Sequence, residues 1–276
     1  MDDWPDEIDT VLCDLDGVVW LAHQPIAGSV EAIECLRSSG RRVLFVTNNS
    51  FALVSDHESA LAGIGVPAVG DVVSSSMAAA FLVEPGQRVL AAGGPGVVEA
   101  LAARGAEVVA NTGRPIDGPV DAVVVGLHRD FDYDRLAVAA DVVRGGAALI
   151  GTNADTTYPT PDGLLPGGGS ILAAIAAASG AEPRVAGKPE QPMADLVASL
   201  IDRGGDATSL ARRALMIGDR PETDGLFARR LGCRFALVRT GVTAAGRAVD
   251  HVTLDVDAPD LAGVAQRLTN ADRTQR

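Results

Sequence analysis

Cysteine, basic charge and long apolar runs are what this 276-residue chain has little of. Its three cysteines, Cys13, Cys35 and Cys233, are odd in number and scattered. That pattern suits reduced thiols packed in a core better than a disulfide or zinc framework. The four histidines, His23, His57, His128 and His251, show no metal-ligand spacing. Lys and Arg number 23 against 36 Asp and Glu, a net charge of -13. Neither nucleic acid nor an anionic membrane is therefore an expected partner, and the acidity mainly confers solubility. No apolar run reaches the length of a membrane span. The opening Met1-Asp2-Asp3-Trp4-Pro5-Asp6-Glu7 is acidic and lacks the apolar centre of a signal peptide, so the expected location is cytoplasmic.

What is present is a globular chain, 47% apolar and 21% charged, long enough for one large domain or two ordinary ones. Only Asn270 to Arg276 reads as loose. The most informative stretch is Val11-Leu12-Cys13-Asp14-Leu15-Asp16-Gly17-Val18. An apolar strand ends in two carboxylates, and a period of two puts Asp14 and Asp16 on one side. Gly17 then lets the backbone turn away. Such a pair can divide nucleophilic and proton-transfer work, or hold a hard cation through oxygen. The plain alternative is a solvated strand end.

The order of elements predicts α/β architecture. Ser29 to Ser39 has helical spacing, and Arg41 to Thr47 is a buried strand ending in Thr47-Asn48-Asn49-Ser50. Those short polar residues can aim a hydroxyl and backbone N–H groups at an anion. Ser55-Asp56-His57-Glu58 has capping-box form and opens a helix to Ile64. A second α/β set begins near Pro85, with strands at Arg88 to Ala92, Glu107 to Ala110, Val120 to Val125 and Ala147 to Gly151. The first unit resumes with a strand at Arg184 to Ala186 and Gly187-Lys188-Pro189, Pro189 opening the next helix. Strands follow at Ala214 to Gly218, Arg234 to Val238 and Val252 to Leu254, then a last helix to Leu268. The Ala214 strand also ends in acid, Asp219-Arg220-Pro221-Glu222-Thr223-Asp224.

Two phosphate-loop imitations fail. Gly94-Pro95-Gly96 lacks the third glycine of a dinucleotide fingerprint, Glu99 standing there. Pro166-Gly167-Gly168-Gly169-Ser170 lacks the Gly-Lys-Ser/Thr ending and reads as a flexible lead into the helix Ile171 to Ser179.

Three strands thus end in Asp14/Asp16, Thr47/Asn48 and Asp219/Asp224. In a parallel sheet with right-handed crossovers those ends share one edge, and Lys188, past a fourth strand, can join them. Two carboxylates 4 Å apart repel by roughly 4 kcal/mol at an effective dielectric near 20. A divalent cation relieves that, and oxygen-only ligands favour Mg2+.

Asp-Leu-Asp-Gly-Val at 14–18, Thr-Asn-Asn-Ser at 47–50, Gly-Lys-Pro at 187–189 and Gly-Asp-Arg-Pro-Glu-Thr-Asp at 218–224 resemble the four motifs of the haloacid dehalogenase-like phosphatases. The long insert between the second and third motifs resembles the NagD-like subfamily, which includes 4-nitrophenyl, phosphoglycolate and glycerol 3-phosphate phosphatases. Val123-Val124-Val125-Gly126, Thr152-Asn153-Ala154-Asp155 and Leu237 to Val242 also resemble that subfamily. The resemblance implies a doubly wound core over 1–84 and 185–276, with an α/β cap over 85–184 inserted. It implies Asp14 as nucleophile and Asp16 as general acid and base. It further implies Mg2+ held by Asp14, the Asp16 carbonyl and Asp219 with Asp224 behind, and phosphate held by Thr47, Asn48 and Lys188.

A haloalkanoate dehalogenase would not need the Asp219/Asp224 cradle. The chain departs from the subfamily in two places: Leu127-His128-Arg129-Asp130 replaces an aromatic followed by acids, and Pro221-Glu222 stands where Leu-Asp is usual. The expected substrate is a small polyol or sugar phosphate, glycerol 3-phosphate first, with His128 or Arg129 as selector on the cap. Phosphoglycolate, pyridoxal phosphate and nucleotides remain open, as do a catalytically silent phosphometabolite-binding regulator and phosphotransfer to another hydroxyl. A cap-mediated homodimer is compatible with the resemblance.

Overall fold

The computed structural model describes residues 8–160, 163–201 and 212–273. In chain order its elements are β1 (Thr10–Cys13), β2 (Trp20–Leu21), β3 (Gln24–Pro25), α1 (Ser29–Ser38), β4 (Arg42–Thr47), α2 (Val54–Gly63), β5 (Val72–Ser74), α3 (Ser75–Ala80), β6 (Arg88–Ala92), α4 (Pro95–Ala103), β7 (Glu107–Ala110) and β8 (Ala122–Val125). There follow α5 (Tyr133–Arg144), β9 (Ala148–Gly151), β10 (Thr157–Thr160), β11 (Gly163–Pro166), α6 (Gly168–Ser179), β12 (Arg184–Val185), α7 (Gln191–Ile201), β13 (Ala214–Gly218), α8 (Leu226–Leu231), β14 (Arg234–Val238), β15 (Val256–Ala258) and α9 (Leu261–Arg273). The described residues divide into two compact units. One draws on 1–47, 57–73 and 194–276, the other on 48–56 and 74–193.

The first unit carries a sheet ordered β15-β14-β13-β1-β4-β5. Every pairing from β15 through β4 is parallel, with Cys13 opposite both Ile217 and Phe45. The strands β1 and β13 are buried along their whole length, which is why both read as unbroken apolar runs. This is the doubly wound α/β architecture expected. The second unit has a parallel sheet ordered β12-β9-β8-β6-β7. Its core joins Leu90, Val123 and Leu149 to Ala139 and Val143 of α5 and to Ile171, Leu172 and Ile175 of α6.

Several local expectations are corrected. The strand expected at Val252 to Leu254 forms later, as β15. The Asp255 carboxylate accepts from the Phe235 N–H (2.9 Å) and from Arg234 Nη1 (2.8 Å), which fixes the register one residue before β15 begins. Arg184–Val185 joins the second sheet, pairing with β9, and does not resume the first. The helix after Lys188 starts at Gln191, because a turn closed by Glu190 N–H to the Gly187 carbonyl (2.7 Å) takes up Pro189. Ser55 does not cap α2, which opens at Val54. Asp56 instead reaches back to accept from the Leu53 N–H at 3.2 Å.

Gly168 and Gly169, expected to lend flexibility, are buried in the first turn of α6. A Cβ on Gly169 would sit 2.4 Å from the Ala154 carbonyl, so close packing explains that glycine. The last helix continues beyond Leu268, its backbone helical to Arg273. Positions 274–276 of the stretch read as loose lie outside the described residues. Cys13 is buried, but Cys35 is exposed and so is no core thiol. The β2–β3 ladder and the β10–β11 hairpin were not anticipated. Among the described residues no helix is long and apolar enough to cross a membrane.

Candidate active site

Because β13, β1 and β4 are parallel neighbours, their carboxyl ends deliver Asp219, Asp14 and Thr47 to one edge of the first sheet. Oxygen atoms of Asp14, Asp219 and Asp224 all lie within 4.8 Å of one another. Asp219 is 1% exposed and Asp224 is fully buried. Asp224 reaches the group through a tight turn of five residues, Pro221–Gly225, where the Asp224 N–H donates to the Arg220 carbonyl (2.8 Å). One of its oxygens accepts from the Arg220 N–H at 3.1 Å.

The Asp219 carboxylate is held on one side only. Its Oδ2 accepts from the Val242 N–H at 2.6 Å, while among the described residues its buried Oδ1 has no hydrogen-bond partner. Burial, then the neighbouring Asp224 and Asp14 carboxylates, push its pKa up to about 7. Glycines make the cradle fit. A Cβ on Gly17, at φ +85°, would lie 2.6 Å from Asp219 Oδ2, and one on Gly241 would lie 2.0 Å from it. Three acids facing one another, with an orphaned buried oxygen, suit a hard divalent cation and nothing neutral.

Asp14 and Asp16 do not share a strand, since β1 stops at Cys13. The chain turns instead: the N–H groups of Val18, Val19 and Trp20 all point to the Leu15 carbonyl, at 3.3, 2.9 and 3.2 Å. Asp14 Oδ1 accepts from the Leu15 N–H at 2.8 Å. Asp16 is exposed, outside the trio, and its Oδ1 accepts from Trp20 Nε1 at 3.1 Å. The Trp20 ring is itself buried, so it fixes the direction of the Asp16 carboxylate.

Within the second unit, Asn48 and Lys188 meet. Asn48 Oδ1 accepts from the Lys188 N–H (2.8 Å) and Asn48 Nδ2 donates to the Lys188 carbonyl (3.0 Å). Lys188 is 3% exposed. Thr47, buried at the end of β4, precedes Asn48 directly in the chain. His128 and Arg129 follow β8. His128 is half-buried, its Nδ1 has no hydrogen-bond partner among the described residues, and burial lowers its pKa. Arg129 is exposed, lies over the Phe51 ring (5.5 Å to its centre) and donates to the Tyr158 hydroxyl at 3.3 Å.

Sequence reasoning assigned no role to Trp20, Gly241, Asn153 or Asp155. Gly241 lies in the 237–242 stretch that resembles the subfamily, and the last two carried a signal of their own. Thr152-Asn153-Ala154-Asp155 is a run of short polar residues after a buried strand, as Thr47 to Ser50 is.

A family model described as haloacid dehalogenase-like hydrolase matches residues 11–107, and a second HAD hydrolase-like model matches 185–271. D-glycerol 3-phosphate phosphatase of Mycobacterium tuberculosis is 41% identical over 248 residues, which are 88% of this chain and 66% of that protein. The chain thus spans just under two thirds of that relative. Phosphoglycolate phosphatase 2 of Arabidopsis thaliana is 34% identical over 89% of this chain and 87% of its own length. A crystal structure of glycerol phosphate phosphatase from Mycobacterium tuberculosis in complex with magnesium superposes with a TM-score of 0.82 at 36% identity, covering 95% of this chain and 78% of that one. With family models on both outer stretches and relatives aligned along nearly its whole length, the chain belongs to the haloacid dehalogenase-like hydrolase family, among its phosphomonoesterases.

Proposed function

We propose that the chain is a Mg2+-dependent phosphatase of small phosphorylated metabolites, with glycerol 3-phosphate or a similar polyol or sugar phosphate as substrate. The observation that carries this reading is the trio of a half-buried Asp14 with buried Asp219 and Asp224, in which, among the described residues, Asp219 Oδ1 has no hydrogen-bond partner. The names of the Mycobacterium tuberculosis relatives support the substrate, and the magnesium complex of one supports the metal. In this reading 1–84 and the chain after β12 form the catalytic core, and the insert from 85 through β12 is a cap that restricts the site to small substrates. A cytoplasmic setting belongs to the same proposal.

Asp14, the Asp16 carbonyl and Asp219 would hold Mg2+, with Asp224 backing Asp219, and the ion would offset the repulsion between a carboxylate and a phosphate dianion. Asp14 attacks phosphorus, the bond from phosphorus to the substrate oxygen breaks, and Asp16 gives that oxygen a proton. Asp16 then takes a proton from water. The water oxygen attacks phosphorus, the bond to Asp14 breaks, and inorganic phosphate leaves. The Thr47 hydroxyl, the Asn48 N–H and the Lys188 ammonium bind the phosphoryl oxygens.

Phosphate release from a panel of small phosphomonoesters, with Mg2+ and with EDTA, tests this reading. Metal-dependent release led by glycerol 3-phosphate is expected. Release led by phosphoglycolate, pyridoxal phosphate or a nucleotide keeps the reaction and replaces the substrate. No release, with no aspartyl phosphate, overturns the reading in favour of a silent phosphometabolite binder.

A further inference from the structure

Lys188 closes a backbone ladder whose last rung is made by a side chain. The pairing of β12 with β9 continues past both strands: the Ala186 N–H donates to the Gly151 carbonyl at 2.9 Å and the Gly187 N–H to the Thr152 carbonyl at 2.7 Å. The next donor, the Lys188 N–H, turns to a side chain. It goes to Asn48 Oδ1, and the same carboxamide returns a hydrogen bond from Nδ2 to the Lys188 carbonyl. One planar group therefore pins both polar atoms of the residue that carries the ammonium. The approach is close enough that a Cβ on Gly187 would lie 2.6 Å from Asn48 Oδ1 and 2.5 Å from the Thr152 carbonyl.

Asn48 is in turn held by groups that none of the four motifs contains, all within the second unit. Its Nδ2 also donates to Asp155 Oδ2 at 3.0 Å, a charge-assisted bond that fixes which end of the amide is which. Its backbone carbonyl accepts from Asn153 Nδ2 (2.8 Å) and from the Ser75 hydroxyl (2.8 Å). Asn153 is 5% exposed, and its Oδ1 accepts from the Asp155 N–H at 3.1 Å. The turn at 152–155 thus grips Asn48 at both its main chain and its side chain.

We propose that Asp155 and Asn153 are positioning residues for Lys188, acting through Asn48. A lysine side chain has four rotatable bonds and loses about 2 kcal/mol of rotamer freedom when ordered, so its charge can be aimed only if its backbone is fixed. The inference rests on the reading of Lys188 as a ligand of the phosphoryl group.

The test compares Asp155→Ala, Asn153→Ala and Asp155→Asn with the parent, reading KM and kcat for the best phosphomonoester and Kd for inorganic phosphate in Mg2+. The alanine variants should raise KM and phosphate Kd together, by roughly three- to tenfold, the worth of one or two hydrogen bonds. Their Mg2+-induced rise in Tm should match the parent's. Asp155→Asn, which keeps an acceptor oxygen, should restore most of the loss. On a Lys188→Ala background, Asp155→Ala should weaken phosphate no further. Additive losses on that background, or unchanged KM and Kd in the alanine variants, overturn the inference. If Asp155→Ala does not fold, Asn153→Ala decides alone, because it removes the donor to the Asn48 carbonyl and adds no charge. A parent that neither releases nor binds phosphate overturns the phosphatase reading and this inference with it. An active parent with unaffected variants overturns this inference alone.

Discussion

A Cβ on Gly17 would sit 2.6 Å from Oδ2 of Asp219, the oxygen that also accepts the Val242 N–H. Gly17 is at φ +85°, a conformation that costs other residues about 1–3 kcal/mol, and it stands where the chain must pass the cradle wall. Gly17→Ala should therefore lower stability by about that amount in urea unfolding and displace Asp219 as well. Its Mg2+-induced rise in Tm should fall to a small fraction of the parent's. A variant that is destabilised but keeps the full Mg2+ response would show that the cradle tolerates the side chain.

The carboxylate trio sets metal binding against stability. Asp219→Asn keeps the shape and an acceptor for Val242 but removes the charge that faces Asp14 and Asp224. In EDTA at pH 8 this variant should be more stable than the parent, on the order of 1–3 kcal/mol, and should lose its response to Mg2+. The folded-state pKa of Asp219 is raised to about 7 from 3.8. The unfolded chain thus gives up this proton first, and the parent's penalty grows as pH rises from about 4 to about 7 and is full above that. The two proteins should converge at low pH. Equal stability at pH 8 would mean that the three acids do not repel in the metal-free protein.

Arg129 is held by stacking on Phe51 and by the Tyr158 hydroxyl, and among the described residues no carboxylate pairs with it. An unneutralised cation on a loop can sort substrates by their second polar group. Arg129→Ala should change the ratio of kcat/KM between phosphoglycolate and glycerol 3-phosphate by about tenfold, mainly through loss on the acid. An unchanged ratio would remove Arg129 as a selector. The same measurement on His128→Ala separates the neighbouring histidine, whose unpartnered Nδ1 gives it a claim of its own.

How much was legible in the chain depended on whether a residue's role was local. Buried parallel strands have largely apolar centres, so β1, β4 and β13 and the polar residues at their ends could be read directly, and with them Asp14, Asp219 and Asp224. Asp16 was legible as chemistry but not as geometry. Its place comes from a turn around the Leu15 carbonyl and from Trp20, not from a strand's alternation. The glycines at 168 and 169 were misread because flexibility and close approach need the same residue, and only the neighbouring Ala154 carbonyl tells them apart. The strand at Val256–Ala258 was missed for a similar reason. Val252 and Leu254 look equally strand-like, and the choice falls to the Asp255 carboxylate gripping β14. Asn153 and Asp155 act on Asn48 across more than one hundred residues of sequence, a separation no local pattern encodes.

Asp16 is exposed and tied to Trp20 Nε1, and that placement predicts how the two halves of the reaction separate. With 4-nitrophenyl phosphate the leaving group departs as a stable phenolate, so forming the aspartyl phosphate needs no proton from Asp16. Hydrolysis of that intermediate still needs a base. Asp16→Asn should therefore release a burst of nitrophenolate close to one equivalent per site, then turn over about 10²–10⁴-fold more slowly than the parent. Asp14→Asn should give no burst and no acid-stable phosphoprotein, since the nucleophile is gone. Trp20→Phe keeps an aromatic ring but drops the indole N–H that donates to Asp16, and a loss of roughly three- to tenfold in kcat is expected, the worth of one orienting hydrogen bond. A burst in Asp14→Asn would move the nucleophile elsewhere. A slow Asp16→Asn with no burst would make Asp16 necessary for the first step as well, and assign it to holding the metal or the phosphoryl group in place of proton transfer.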